Sequence, residues 1–280
     1  MAYSQGGLIE ASDYNTFVSN INSIWGVGSG DSGYGQTGTL TTVALSNTIT
    51  ATQWATLIAR LDSLRNHQSG VTSGLTQPST GDVIEYLNIL NSQISTATSN
   101  RLSNNEGIVT AATANATGTW DGTVQADREC TFTFASANQM RYFFNAGGYI
   151  TFNVVNSSFS GNTKSSNWDT LADNLATQTI NSGNFYSLST SNSTRASATG
   201  SGADYASNIL YLQARLNAAP GASTVLTLRA LFADNSADTF DDVVTGTARL
   251  DATAHEANAT AITNSWGTVT GASNVTVTQS

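Results

Sequence analysis

The sequence predicts an α+β protein: a small N-terminal helical module over residues 1–105, then an antiparallel β-sandwich, jelly-roll-like or immunoglobulin-like with one short helix, over residues 111–280. Three observations carry that expectation. In roughly the first hundred residues, apolar side chains recur at i, i+3, i+4 and i+7, the repeat of helices with one buried face. From about residue 110 the repeat shortens to two, with turn residues between the runs, as in strands that show one face to a core. Only Pro78 and Pro220 interrupt the chain, so inner strands keep their ladder donors.

The first helix is read from EASDYNTFVSNINSIWG, where Tyr14, Phe17, Val18, Ile21, Ile24 and Trp25 form one stripe, Ser12 is the expected N-cap and Gly26 the stop. In the second, ITATQWATLIARLDSLRNHQSG, Trp54, Leu57, Ile58, Leu61 and Leu64 share a face behind a Thr50 or Thr52 cap, and Gly70 ends it. The third places Val83, Ile84, Leu87, Leu90 and Ile94 together after Pro78, with Ser79 or Thr80 as the cap. Three such helices with short connections predict a small bundle. Residues 103–118 are small and polar, fitting either a hinge or the first turn of the β-domain.

Strands are expected in GTVQADRECTFTFAS, QMRYFFNAGGYITFNVVNSS, GNFYSLST, ASNILYLQARLNA, STVLTLRALFADN, GTARLDATAHEA and ASNVTVTQS. In SSNWDTLADNLATQTI, Trp168, Leu171 and Leu175 stand at helical spacing, and the one short helix is placed there. The aromatic cluster QMRYFFNAGGY, residues 139–149, reads as a hairpin corner: Tyr142 and Phe143 on opposite faces of a strand, Gly147 and Gly148 in the turn, and YITF returning beside it. Cross-strand aromatic pairs there would contribute about 0.2–1 kcal/mol each.

Composition excludes several function classes. Charged residues make up 10% of the chain against about 25% in an ordinary soluble protein, so Ser, Thr, Asn, Gln and Gly must cover most of the surface. Ten cationic against 19 acidic side chains give a net charge of −9, which opposes binding to a phosphate backbone or an anionic membrane. No run of about 18 apolar residues offers a transmembrane helix, and the start, MAYSQGGLIEAS, lacks the basic and apolar regions of a secretory signal. No nucleic-acid or membrane partner is therefore expected. The single cysteine, Cys130, rules out an intrachain disulfide and, in its alternating ECTFTF setting, reads as a buried thiol.

No catalytic, cofactor or metal site is expected. The glycine-rich stretch between the first two helices, residues 26–43, has neither the G-x-G-x-x-G spacing after a strand nor the lysine of a phosphate loop, and reads as an ordered loop using positive φ. His67 and His255 are the only histidines, and neither accompanies a nucleophile elbow. Asp234, Asp238, Asp241 and Asp242 resemble part of a calcium loop but lack its central Gly and its closing Glu, so a polar loop is the expectation.

Two segments stand out: Ile9, Asp13, Tyr14 and Asn15 followed by INSIWGVGSGDSGYGQ and ITATQWATLIARLDSLRNHQ, and, further on, RYFFNAGGYITF. They resemble structural proteins of tailed bacteriophages, particularly those of cyanobacterial and marine hosts. The resemblance implies a virion location and a non-enzymatic role in a tail, neck or baseplate, as a fibre or adaptor component or collar part. It implies no cofactor, and its partners would be other virion proteins and further copies of the chain. The residues that carry it are Trp25, Tyr34, Gly35, Gln36, Trp54, His67 and Gln68 in the helical module, and Arg141, Tyr142, Phe143, Phe144, Asn145, Gly147 and Gly148 in the second motif. The helices would then dock into the particle or a neighbouring copy. The alternatives are a host-attachment module whose sandwich binds a surface glycan, and a capsid decoration protein.

Overall fold

The computed structural model describes residues 10–82, 87–120, 125–157, 159–236 and 243–278. N-terminal helices are followed by two antiparallel sheets, the α+β arrangement expected. By contacts the chain divides into two compact units. One combines Met1–Val109 with Arg141–Gly148 and Glu256–Trp266; the other combines Thr110–Met140, Tyr149–His255 and Gly267–Ser280.

The first unit is built on α1 (Ala11–Trp25), α2 (Ala51–Ser69) and α3 (Leu87–Ser99). The expected stripe of α1 is buried from Tyr14 to Trp25, and it meets Trp54 of α2 through an edge-on contact with Tyr14 at 5.4 Å. The cap of α1 is Glu10 rather than Ser12: the Asp13 carboxylate accepts from the Glu10 N–H, and the Ser12 hydroxyl is spent on the Glu10 side chain. Thr50 caps α2 reciprocally with Gln53, and Gly70 closes it at φ 71°. In α3, Leu90 and Ile94 are buried as the periodicity requires, while Val83 and Ile84 lie outside the described residues.

In the second unit, β1 (Ile108–Thr119), β8 (Thr247–Ala257), β3 (Tyr149–Ser157) and β4 (Gln178–Ile180) form a sheet in that spatial order. The other sheet runs β5 (Ser193–Thr199), β6 (Ile209–Leu216), β7 (Val225–Ala233), β2 (Gln125–Thr133) and β9 (Thr270–Thr278). Alternation sets what lies between them: Ala126, Cys130 and Phe132 from β2 point inward with Leu226, Leu228 and Phe232 from β7, against Ile150, Phe152 and Leu250. Helix α5 (Thr163–Asp173) is the expected short helix. Its Trp168 enters an aromatic cluster with Trp120 at 5.1 Å and Phe232 at 5.7 Å.

One seam of the sandwich is closed by side-chain and backbone approach between β1 and β9. A Cβ at Gly271 would stand 2.5 Å from Thr113 O, and one at Gly118 would stand 2.6 Å from Val275 Cγ1, so glycine lets the two strands come this near. Arg128, with no exposed surface, lies across this seam. Its Nε donates to Ala248 O at 3.0 Å, Nη2 to Gly118 O at 2.8 Å and Thr119 O at 3.2 Å, and Nη1 to Asp127 O at 2.9 Å and Thr276 O at 3.4 Å.

Further expectations need correction. Residues 137–145 form a helix, α4 (Ala137–Asn145), and not the first strand of a hairpin. The reason is visible in the spacing: Met140, Phe143 and Phe144 stand at i, i+3 and i+4 and are buried, while Arg141 and Asn145 stand one turn apart. Ser136 Oγ accepts from Gln139 N–H at the start. At the end Gly148 N–H reaches Phe143 O at 2.9 Å and Gly147 N–H reaches Phe144 O at 3.1 Å, the paired bonds of a glycine-terminated helix. The two glycines do reverse the chain into β3, but out of a helix.

Residues 103–118 are mostly strand, since β1 begins at Ile108. GNFYSLST holds a helical turn, α6 (Ser182–Phe185), because Asn181 caps it through Asn184 N–H. Helices are more numerous than the single one expected, with α7 (Gly202–Tyr205) joining α4, α5 and α6. Strands β4 and β5 carry too few apolar residues for period two to reveal them.

Cys130 is buried as anticipated, its Sγ near Ala114 O and Leu250 O, and burial pushes its thiol from 9.0 up to about 12. It is expected to resist thiol reagents in the native protein and to react on unfolding. The raised value also fixes a sign: the folded state keeps a proton that the unfolded chain loses. The stability margin of the wild type over Cys130→Ala should therefore shrink from about pH 9 towards about pH 12. Urea unfolding of both proteins across that range checks it.

Candidate functional site

All fourteen residues carrying the bacteriophage resemblance fall in the first unit. Twelve are buried, and Gly35 and Gly147 are half-buried. They hold one another and the glycine-rich loop.

The loop leaves α1 at Gly26 and turns through Gly28, Gly30, Gly33, Gly35 and Gly38, all at positive φ. A chain so curved aims several carbonyls inward, and these need donors. The last turn of α4 supplies them. Arg141 Nε donates to Gly30 O at 3.1 Å, and its Nη2 donates to Ser32 O at 3.0 Å and Val27 O at 3.4 Å. One turn on, Asn145 Nδ2 donates to Gly33 O at 3.1 Å and Gly30 O at 3.4 Å.

Tyr142 packs against Gly35 so closely that a Cβ at position 35 would stand 2.3 Å from the ring. Gly35→Ala is thus expected to cost about 2–4 kcal/mol, from a strained positive φ and an overfilled contact together. Chemical denaturation of the full chain measures it. Phe143 and Phe144 pack edge to face at 5.1 Å, and Gly148 leaves no room for a Cβ beside Phe143 O. Gly147, at φ 90°, abuts Asn104.

The residues after Gly33 are held from two further places. Tyr34, without exposed surface, donates its hydroxyl to Arg101 O at 2.7 Å and accepts from Gln68 Nε2 at 3.1 Å. Burial raises its phenol above the ordinary range, partly offset by the Gln68 hydrogen bond and by Arg101. Gln68 Nε2 also donates to Ala97 O at 2.9 Å, which joins α2 to α3. Gln36 pairs with Thr263 like a strand neighbour: its Nε2 donates to Thr263 O at 2.7 Å, and its Oε1 accepts from Thr263 N–H at 2.8 Å.

His67 sits between two oxygens, with Glu106 Oε2 2.8 Å from Nδ1 and Ala146 O 3.2 Å from Nε2. Glu106 in turn accepts from the Thr260 and Ala261 backbone N–H groups. Trp25 donates Nε1–H to Thr37 O at 2.7 Å, with the Arg60 guanidinium 3.9 Å over its ring. Trp54 stands apart from this network, in the α1–α2 contact.

Sequence reasoning named these residues but missed their partners Glu106, Thr263 and Ser265, the last donating its hydroxyl to Tyr34 O. Glu106 had a faint signal as the lone acid in a polar stretch beside a glycine. The segment 256–266 had none, because backbone groups and the common hydroxyls of Thr263 and Ser265 carry no sequence signature of their own. Of the four aspartates in the stretch expected to be a polar loop, only Asp234 lies within the described residues, and its carboxylate faces Lys164. Among the described residues no three His, Cys, Asp or Glu side chains gather closely enough to hold a metal ion.

The arrangement is a lock: donors from α2, α4 and the 256–266 segment are spent on the carbonyls and side chains of one loop. Its polar groups are largely turned on each other, which gives rigidity. No protein-family model, curated protein or solved structure matches this chain.

Proposed function

We propose that this chain is a non-enzymatic structural protein of a tailed-bacteriophage virion, a tail, neck or baseplate fibre or adaptor component that assembles with other virion proteins and with copies of itself. What supports the reading is the joining of the two resembling segments. Parts of the segments Trp25–Gln68 and Arg141–Gly148, far apart in sequence, are joined by hydrogen bonds and fall in one compact unit, so the likeness covers a single folding unit. A module rigidified in this way suits repeated docking, because little ordering entropy remains to be lost on assembly.

Mass spectrometry of gradient-purified particles from the phage that encodes the chain is the test. The chain is expected at a fixed copy number per particle, and recovery only from the soluble lysate would overturn the proposal. Cryo-electron microscopy of the same particles separates tail, neck or baseplate from capsid decoration. Sedimentation of the purified protein tests self-assembly, for which a species of only 29.2 kDa counts against it.

One observation favours glycan recognition as a second reading. Tyr149 of β3 and His255 of β8 stack at 4.7 Å on the face of their sheet opposite Ile150 and Phe152, with Thr151 Oγ1 3.0 Å from His255 Nε2. Ring surface beside a neutral hydroxyl is the chemistry that sugars use. Adsorption of the full-length protein to host cells, compared with a Tyr149→Ala variant, tests it; equal adsorption removes this reading.

A further inference from the structure

Nine of the ten cationic side chains are arginine, and the chain's one lysine, Lys164, is buried to 1% side-chain exposure. Lysine is seldom buried so completely. For an ion pair alone, arginine is the better buried partner, since its planar fork matches a carboxylate and is more weakly hydrated. Arginine serves instead in the partly exposed pairs Arg229–Asp127, Arg215–Glu129 and Arg249–Asp251. A primary amine brings one property that a guanidinium lacks: once deprotonated, it is a nucleophile.

The geometry around Lys164 fits that property. It lies in the first turn of α5, and its Nζ stands 2.6 Å from Asp234 Oδ2, whose side chain is 3% exposed. Oδ2 accepts no well-aligned hydrogen bond, so the amine approaches it off the hydrogen-bond line. Oδ1, by contrast, is held by two donors, Ser236 Oγ–H at 2.7 Å and Ser236 N–H at 3.3 Å. Asn208 Oδ1 accepts from Asn235 and Ser236 N–H, each at 2.9 Å, and fixes this turn. One helical turn beyond Lys164 and two residues before Asp234, Trp168 and Phe232 pack at 5.7 Å and help exclude water from this part of the unit.

We propose that Lys164 and Asp234 condense into an intramolecular amide that braces α5 to the end of β7. Proton transfer from the ammonium to Oδ2 gives an amine and a carboxylic acid, exchanging two buried charges for none. The nitrogen lone pair then attacks Cγ, forming the C–N bond. The carbonyl electron pair moves to Oδ1, where the Ser236 donors stabilise the developing charge. Collapse restores C=Oδ1 and expels Oδ2 as water, which carries away a second proton from nitrogen. The products are one amide and one water, with no oxidant or cofactor required. Contact in the folded chain supplies the proximity that such a condensation lacks in solution. The proposal is independent of the virion reading.

Intact-mass spectrometry of the purified full-length protein, corrected for N-terminal processing, is the first test. The expected mass is lighter than the sequence requires by one water. Trypsin cannot cut after an acylated lysine, so residues 142–195 should remain uncut and joined to residues 230–249. In denaturant an amine-reactive reagent should label the N-terminal amine alone. Lys164→Arg and Asp234→Ala should each restore the full mass, whether or not they lower the melting temperature. An unreduced mass with a reactive lysine overturns the proposal. A mass one water light without the joined peptide overturns it too, because dehydration would then lie elsewhere.

Discussion

A fragment ending at residue 105 is expected to show helical circular dichroism but no cooperative urea transition, whereas the full chain unfolds sharply. The helices themselves carry strong local signals, including the Thr50–Gln53 cap and the αL stop at Gly70. What the fragment lacks is the other half of the lock. Without Arg141 and Asn145, the carbonyls of Val27, Gly30, Ser32 and Gly33 lose their donors. Without Thr263, the Gln36 amide loses its pairing; without Glu106 and Ala146, His67 loses both oxygens. Each hydrogen bond given up to water removes about 0.5–1.5 kcal/mol, and several together exceed the margin of a small helical unit. A sharp transition in the fragment would show that the helices fold without this support. Assembly of the module from three stretches of chain also means that it completes only once residue 266 has been made.

Arg128→Met is expected to destabilise the second unit by about 3–5 kcal/mol, among the largest effects of any single substitution there. Methionine fills much of the space but offers no donor to the carbonyls of Gly118, Thr119, Asp127, Ala248 and Thr276. The guanidinium, which has no exposed surface, answers these oxygens where β1, β8 and β9 come together, and the Ala248 carbonyl it meets is itself buried. Burial lowers the guanidinium pKa to about 10, with Asp127 opposing the shift, so the side chain remains charged through the neutral range. Guanidinium unfolding monitored by tryptophan fluorescence reads the loss, since Trp120 and Trp168 lie in the same unit. A change below about 1 kcal/mol would mean that the carbonyls find other partners and that Arg128 is not what closes the seam.

The error at residues 137–145 shows where sequence reading lost its grip. Three consecutive rings suit a strand by propensity, and a following Gly-Gly suits a hairpin. The same letters also contain an i, i+3, i+4 set in Met140, Phe143 and Phe144, and a short window cannot rank the two periods. Tertiary context decides for the helix: a strand would also put Arg141 and Asn145 on one face, but about 13 Å apart, whereas one helical turn brings them within about 6 Å, so that both reach the same loop. A similar limit hid β4 and β5. Their side chains are small and polar, and they are strands because a neighbour offers ladder partners, as Leu210, Leu212 and Ala214 of β6 do for β5.

Helix stripes, Thr50 and Gly70 as boundaries, the alternation of β2, β6, β7 and β8, the burial of Cys130 and the two-class architecture all follow from the sequence by itself, since each is set by residues within a few positions of one another. The candidate site was legible only as a list of unusual residues. That Arg141 answers the carbonyls of a loop more than a hundred positions earlier, that Arg128 closes a seam, and that the lone lysine meets Asp234 were decided by the tertiary structure. The physical reason is that a buried polar group must find its partner wherever the folded chain brings one, and neither periodicity nor propensity records that distance.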